Sequence, residues 1–140
     1  MSRISWFGKL PSHGDFLQRR APEEFVNVWD PWLQGCVAQS RHDLGQGWLD
    51  IYLTSPVWRF FLGGGVAGAS SYAGIVLPSV DRVGRYFPLT IFAELPADLP
   101  PMAVVIHGRE LLKTIEGLAL HALQSEDLDV EQFDEAIQSS

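Results

Sequence analysis

The sequence has almost no cysteine: Cys36 is the single residue of this type among 140. An intramolecular disulfide is therefore excluded, and the lone thiol fits a reducing compartment. Covalent cross-links are not needed at this length, because such a domain buries roughly two-thirds of the surface that its unfolded chain exposes. Hydrophobic residues make up 46% of the chain, which is typical of a globular protein. We expect a single domain over residues 1–140.

A long uninterrupted apolar run is also missing from the amino-terminal end. Basic residues break the first twenty positions, at Arg3, Lys9, Arg19 and Arg20. This pattern argues against a secretory signal peptide, and we expect a cytoplasmic protein. Residues 60–80 carry no charge and could span a bilayer by length. Five glycines within them disfavour a helix, so we predict two strands around a glycine loop and no membrane insertion.

Positive charge is scarce in the last third of the chain. The net charge is −7. Residues 1–90 contain eight Lys or Arg and seven Asp or Glu, a sum of +1, whereas residues 91–140 contain two and ten, a sum of −8. We therefore predict an acidic, helical carboxyl-terminal part over residues 101–138. Nucleic acid is not an expected partner of such a surface.

Hydrophobic periodicity predicts a long helix in the first half of the chain. Apolar residues from Phe25 to Val37 recur at i, i+3, i+4, i+7 and i+8, the spacing of one helix face. Pro31 should kink or divide this helix. Cys36 belongs to the apolar stripe, which predicts a buried thiol that behaves as a small hydrophobe. A second short helical segment is predicted over residues 48–53.

Strands are predicted in the middle of the chain and helices at its end. The predicted strands cover residues 4–8, 57–62, 72–77 and 86–95, with Pro88 placing the last near an edge or a bulge. The strands over 57–62 and 72–77 are apolar enough to be buried on both faces. Amphipathic helices are predicted over residues 111–123 and 130–137, the second opened by a capping box of Asp129 and Gln132. We predict an α/β domain with a mixed sheet and helices on both faces, a three-layer sandwich.

Three motifs with catalytic or binding precedents lack the context that they need. Gly63, Gly65 and Gly68 match G-x-G-x-x-G, but a strand follows them where a dinucleotide site needs a helix. A hairpin explains them better, with the run Gly63–Gly65 supplying positive φ in the connection between its strands. Ser12, His13 and Asp15 are triad residue types, yet they are near neighbours in one loop. The four histidines lack metal-ligand spacing. We therefore predict no catalytic, cofactor or metal site.

Charged residues lie in unusual places in the loops and strand ends. They are Asp15, Arg59, Asp81, Arg82 and Arg85. A charge in a buried strand is costly unless it is paired, so we predict that Arg59 meets Asp81 or Asp15 and that Asp81 pairs with Arg59 or Arg82. Three interpretations stay open: a salt-bridged structural hub, a docking site for a partner protein, or an active site.

Four segments together resemble the TagF (ImpM) family. They are residues 6–16 (WFGKLPSHGDF), 25–33 (FVNVWDPWL), 56–60 (PVWRF) and 78–90 (PSVDRVGRYFPLT). The first resembles the opening strand and loop of these proteins, and the second their first long helix. The four occur in the family's order across about residues 6–90, which makes the resemblance specific. Residues 91–140 are similar only in helical character.

The resemblance implies a role in bacterial type VI secretion. TagF proteins are post-translational negative regulators of the assembly of this system, act in the cytoplasm, and have the forkhead-associated (FHA) scaffold protein as their proposed partner. The resemblance carries over no catalytic residue and no cofactor. Two functions follow as expectations: a non-enzymatic module that represses assembly by protein binding, or an enzyme that uses the Asp/Arg cluster on a phosphorylated or acyl substrate.

Overall fold

A computed structural model of the chain describes residues 3–140, which form one α/β domain of five strands and five α-helices. Met1 and Ser2, which belong to the predicted 1–140 domain, lie outside the described residues. The strands are β1 (Ile4–Gly8), β2 (Leu17–Arg19), β3 (Trp58–Leu62), β4 (Ser71–Leu77) and β5 (Leu89–Leu95). The helices are α1 (Glu23–Leu44), α2 (Trp48–Leu53), α3 (Pro101–His107), α4 (Arg109–Leu123) and α5 (Val130–Gln138). The predicted single α/β domain is confirmed.

All five strands belong to one sheet, in the order β2-β1-β5-β4-β3. Every neighbouring pair is antiparallel, so the prediction of a mixed sheet is wrong. The connections explain the difference. β3, β4 and β5 follow one another without a helix between them, and parallel neighbours usually need a helical crossover of a dozen or more residues.

Alternate strand positions feed two hydrophobic clusters. The first contains Trp6, Ile75 and Ile91 together with buried residues of α4 and α5. The second contains Phe7 and Phe92, with buried residues of α1. Neighbouring residues of a strand point to opposite faces, so the two clusters take alternate side chains of the same strands; the three-layer arrangement stays a prediction.

Helix α1 buries a narrower stripe than the sequence predicts. Phe25, Trp29 and Leu33 are its buried residues, and the helix passes through Pro31 as one element instead of dividing there. Trp32 is 55% exposed. Cys36 is exposed, so its predicted burial is wrong. The reason is that this part of α1 borders an open groove beside Tyr52 and Pro78, so the apolar spacing continues past the packed part of the helix.

The predicted burial of β3 and the predicted position of β5 in the sheet also differ from the structure. β3 is an edge strand with Trp58 58% exposed, so it is not buried on both faces as predicted. β5 is the central strand of the sheet, and Pro88 directly precedes it without creating an edge. The uncharged segment 60–80 contains most of the β3–β4 hairpin, as predicted. Within residues 3–140, no helix combines the length and apolarity that crossing a bilayer requires.

The glycine-rich connection of this hairpin uses positive φ at two positions. They are Gly65, with φ 97°, and Gly68, with φ 115°. The expectation that the run Gly63–Gly65 supplies positive φ is therefore confirmed only at Gly65. A side chain at these two positions would be strained by the left-handed backbone.

Gly8, at the end of β1, permits a close approach of two loops. Its φ is 142°, and an added Cβ would lie 2.4 Å from the backbone oxygen of Pro88. We expect Gly8→Ala to lower the free energy of unfolding by about 2–3 kcal/mol. The added Cβ would force backbone atoms to move, and alanine would have to adopt a positive φ that only glycine adopts without strain. Urea unfolding measures this. Gly14→Ala is the matched control, since no atom lies within 4 Å of its added Cβ; equal effects of the two changes would contradict the crowding argument.

Candidate functional site

Asp81 lies in the loop between β4 and β5 and accepts four hydrogen bonds. Its residue surface is 2% exposed. Oδ2 accepts from Lys9 Nζ at 3.0 Å and from Arg85 Nε at 2.7 Å. Oδ1 accepts from the backbone N–H groups of Val83 at 3.0 Å and of Arg85 at 2.9 Å. We call Lys9, Asp81 and Arg85 the Asp81 hub.

Electrostatics at the hub favour the ionised carboxylate. Burial alone would raise the pKa of Asp81. The backbone N–H of Arg85, the Lys9 ammonium and the Arg85 guanidinium outweigh that penalty and hold the pKa of Asp81 well below its ordinary value. The carboxylate is therefore charged at neutral pH, and its negative charge is balanced by two cations.

The hub connects two loops that are distant in sequence. The backbone N–H of Arg82 donates to the carbonyl of His13 at 2.8 Å, and the Arg85 guanidinium donates to the carbonyl of Gly14. Ser79 Oγ donates to the carbonyl of Lys9 at 2.6 Å. Residues 9–16 and 78–88 are thus held together as one unit by side-chain and backbone bonds.

Tyr52 attaches α2 to the same unit. Its hydroxyl donates to the carbonyl of Ser79 at 2.8 Å and accepts from the Ser79 backbone N–H at 2.9 Å. Burial raises the pKa of Tyr52 to about 12. The phenol is therefore neutral at physiological pH, and it acts here as a structural hydrogen-bonding group.

The structure brings together some of the predicted charged residues and separates others. Asp81 pairs with an arginine, as predicted, but the partner is Arg85 and not Arg59 or Arg82. Arg59 pairs with Glu116 at 2.6 Å, so its predicted contact with Asp81 or Asp15 is wrong. The reason is its place on an edge strand, where its side chain is 43% exposed and needs no buried counter-charge. Asp15 and Arg82 are exposed.

Lys9 is the member of the hub that sequence reasoning missed. It is 8% exposed and donates directly to Asp81. A signal existed, because Lys9 follows the apolar strand β1 and precedes the buried Leu10. Burying a charge costs more free energy at Lys9 than at Arg59, because Lys9 is the more deeply buried of the two.

Exposed side chains surround the hub on both loops. We call them the loop surface: Asp15, Phe16, Arg82, Val83 and Arg85. Phe16 is 49% exposed and Val83 68%, and the Arg85 side chain is 61% exposed although its Nε contacts Asp81. Phe16 packs edge-on against Phe87, with ring centroids 5.2 Å apart. The loop surface therefore presents two apolar side chains, two arginines and one carboxylate on a fixed backbone.

The side chains of Ser12 and His13, two neighbouring residues of the triad types, are within hydrogen-bonding distance of each other. Ser12 Oγ lies 2.7 Å from His13 Nδ1. Ser12 is, however, only 2% exposed, which keeps its hydroxyl from a substrate, and Asp15 is exposed without a hydrogen bond to His13 among the described contacts. The pair stabilises the loop and does not form a triad.

A second buried ion pair, which the sequence did not predict, joins α5 to β1 and β2. We call it the α5 clamp: Trp6, Arg20 and Asp134. Arg20 donates twice to Asp134, at 2.9 and 2.6 Å, and Trp6 Nε1 donates to the same carboxylate at 2.9 Å. Hydrogen bonds from Arg20 hold the pKa of Asp134 below its ordinary value, against the opposing effect of burial. Arg20 has φ 59°, a strained value that the clamp maintains.

The polar groups of the interior are satisfied. Within the described part of the chain, every buried side-chain nitrogen and oxygen has a hydrogen-bond partner. The same residues contain no group of three or more His, Cys, Asp or Glu arranged to hold a metal ion. The arrangement around Asp81 can therefore position loops and present charges, and its buried groups have no free bonding capacity directed at a ligand.

Comparison with known proteins identifies the family. The structure is similar to the crystal structure of PA0076 from Pseudomonas aeruginosa PAO1, with a TM-score of 0.90 and 41% sequence identity over 96% of this chain and 60% of that one. The chain thus spans about 60% of the length of that relative. A search of curated proteins found no significant match. The model of the TagF N-terminal domain, described as type VI secretion system-associated, matches residues 5–140, and so extends well beyond the four segments that carry the resemblance in the sequence. The chain therefore belongs to the TagF family of type VI secretion system-associated proteins.

Proposed function

We propose that this protein is a post-translational negative regulator of type VI secretion assembly, and that it acts in the cytoplasm by binding another protein through the loop surface. The partner that we propose is the FHA scaffold protein of the same system, which the family resemblance implies. Membership of the family supports the link to secretion. The geometry of the loops supports a binding mechanism.

The observation that carries this proposal is the Asp81 hub. Its buried carboxylate fixes both loops through four hydrogen bonds, so the backbone that carries the exposed side chains is ordered before a partner binds. Preorganisation reduces the entropy that binding must overcome. A surface that is ordered in the free protein is therefore well suited to specific recognition.

The composition of the loop surface also suits protein binding. Arg82 makes no ion pair with any of residues 3–140, so its guanidinium is free to meet a carboxylate of the partner. Phe16 and Val83 offer apolar area beside it. Arginine and aromatic residues are enriched among the side chains that dominate interface energetics. The partner face is expected to be acidic with an apolar centre.

The enzymatic alternative gains no support from these contacts. A catalytic base needs a lone pair directed at the substrate. The oxygens of Asp81 are occupied by Lys9, Arg85 and the backbone, and the residue is buried. A role for the Asp/Arg cluster on a phosphorylated or acyl substrate would require this network to open.

A charge reversal at Arg82 tests the proposal. We expect Arg82→Glu to weaken binding to the purified FHA scaffold protein by about tenfold or more, because it places like charges across the interface. Isothermal titration calorimetry measures the affinity, and a secretion assay in cells carrying the variant measures repression. Arg82 is preferable to Arg85, since Arg85 contacts Asp81 and its replacement would disturb the loops.

Lys113→Glu is the matched control, because it makes the same charge reversal on the exposed face of α4, away from the loop surface. This variant should bind and repress as the wild type does. Circular dichroism and thermal unfolding confirm that both variants are folded. Equal binding by both variants and the wild type contradicts the assignment of the surface. Loss of repression by Arg82→Glu with binding intact contradicts a mechanism of binding alone.

A further inference from the structure

Helix α3 is almost entirely apolar, yet none of its residues is buried. Its sequence is PMAVVIH. Met102, Val105 and Ile106 are each more than 60% exposed, and Ala103 and Val104 are half-buried. A short apolar helix usually gains its stability by packing an apolar face against the core. The underside of α3 meets a space instead of a packed core.

That space is an apolar cavity of about 260 Å³ between α3, α4 and the sheet. Its walls include Ala93 and Leu95 from β5, Ala103 and Val104 from α3, and Leu111 and Ile115 from α4. His107 is the one lining residue with a polar side chain. Water is not stabilised in such a space, because a bound water needs two to four polar partners.

The space is open to solvent on one side, so it is a pocket of ligand-binding size and not an enclosed void of the core. Protein interiors hold few voids larger than a water molecule, and an engineered apolar cavity of about 150 Å³ binds benzene. A space of about 260 Å³ with apolar walls is therefore suited to an apolar ligand longer than a single ring. Such a ligand would bury the inner apolar face of α3, which has no buried residue in the free protein.

A second groove, lined by two arginines, adjoins the cavity. This groove, of about 470 Å³, shares Val104 and Leu112 with the cavity and is also lined by Arg59, Phe61 and Arg109. The Arg59 guanidinium is engaged by Glu116. Arg109 makes no ion pair with any residue in the described range 3–140. The apolar cavity therefore lies beside Arg109, whose positive charge has no ion-pair partner within residues 3–140.

We propose that this protein binds a single-chain fatty acid, with the alkyl chain in the cavity beneath α3 and the carboxylate against Arg109. The apolar walls select the chain by the area that it removes from water. The guanidinium selects an anionic head over a neutral one, since charge-assisted bonds to carboxylate are the natural role of arginine. The site is separate from the loop surface, and its occupation does not depend on the function proposed there.

Decanoate and decanol provide the test, because they share a ten-carbon chain and differ in charge. Isothermal titration calorimetry, below the concentration at which either aggregates, should show saturable binding of decanoate to one site. Decanoate should also raise the thermal midpoint, as a ligand of the native state does. Decanol should bind more weakly than decanoate. The absence of saturable decanoate binding would overturn the proposal.

Two pairs of variants locate the ligand. Ala103→Phe fills the cavity, and we expect it to abolish decanoate binding at concentrations that saturate the wild type, whereas Met102→Phe adds the same ring on the exposed side of α3 and should leave binding unchanged. Thermal unfolding checks that both variants fold. If Ala103→Phe fails to fold, Ala103→Leu gives the smaller filling change, with a graded loss of affinity expected.

Arg109→Gln should weaken decanoate binding by about two- to fivefold, as loss of an exposed ion pair does, and leave decanol binding unchanged. Arg41→Gln removes the same charge from the exposed side of α1 and should affect neither ligand. Binding that survives Ala103→Phe would place the ligand outside the cavity and contradict the site. Equal effects of Arg109→Gln on decanoate and decanol would contradict the carboxylate contact.

Discussion

Asp81→Ala is expected to lower the free energy of unfolding by about 3–5 kcal/mol, because it leaves the buried ammonium of Lys9 without its counter-charge. Lys9 is 8% exposed, so water cannot replace the lost carboxylate. The variant also removes the acceptor of the backbone N–H groups of Val83 and Arg85. Urea unfolding followed by circular dichroism measures the change.

The control is Asp98→Ala, which removes an exposed carboxylate in the connection between β5 and α3. Surface changes of this kind usually lie within about 0.5 kcal/mol of the wild type. A loss of less than about 1 kcal/mol for Asp81→Ala would show that the Asp81 hub is not a stabilising buried network. A loss of the expected size ties the order of both loops to this carboxylate.

The same residue makes stability depend on pH. The pKa of Asp81 is lowered by folding from an ordinary value of 3.8. Its carboxylate therefore contributes stability above that pH, and the contribution is lost as pH falls through the lower pKa of the folded state. Wild-type stability should decline below about pH 4, and Asp81→Ala should show a shallower decline over the same range. Parallel curves for the two proteins would contradict the direction of the shift.

Asp134→Ala is expected to cost a similar amount, about 3–5 kcal/mol, since it leaves Arg20 unpaired beneath α5. The side chains of Arg20 and Asp134 are 17% and 8% exposed, and the buried N–H of Trp6 loses its acceptor as well. We expect faster hydrogen exchange throughout α5 and a change in the tryptophan fluorescence, to which Trp6 contributes. Both measurements report detachment of the helix before global unfolding.

The neighbouring pair of Arg19 and Glu131 supplies the comparison. Their side chains are 32% and 73% exposed, and exposed ion pairs contribute roughly 0–1 kcal/mol. Glu131→Ala should therefore change stability by no more than about 1 kcal/mol. If it costs as much as Asp134→Ala, burial is not what gives the α5 clamp its strength.

Helices with regularly spaced apolar residues were predictable from the sequence. A short strand that forms only by pairing with another strand was not. Helices α4 and α5 lie where the apolar stripes and Asp129 predicted them, and the Asp129 side chain accepts from the backbone N–H groups of Glu131 and Gln132 as an N-cap does. Strand β2 has three residues and exists because β1 pairs with it. Helix α3 lies within the range 101–138 that was predicted to be helical, but its bounds were not predictable, because it is almost entirely apolar and shows no amphipathic stripe.

The sequence predicted that charged residues of the candidate site would be paired, but not which residues would pair with one another. The cost of burying charge correctly indicated that Asp81 would be paired with an arginine. Lys9 and Asp81 are 72 positions apart, and no local pattern relates them. The ion-pair partner of Arg59 depends on which strand lies at the edge of the sheet. The order of the strands is determined by tertiary packing and not by strand propensity.

The order of the strands has a consequence for how the chain is made. β1 emerges from the ribosome early, but it lies between β2 and β5, and β5 begins only at Leu89. Until then one edge of an apolar strand stays open in the nascent chain, a state that invites association with other chains. Such distant pairing also slows folding. Asp134, synthesised after all five strands, accepts the hydrogen bond of the Trp6 indole N–H, so a ribosome that stalls before α5 leaves this buried group of β1 without its acceptor.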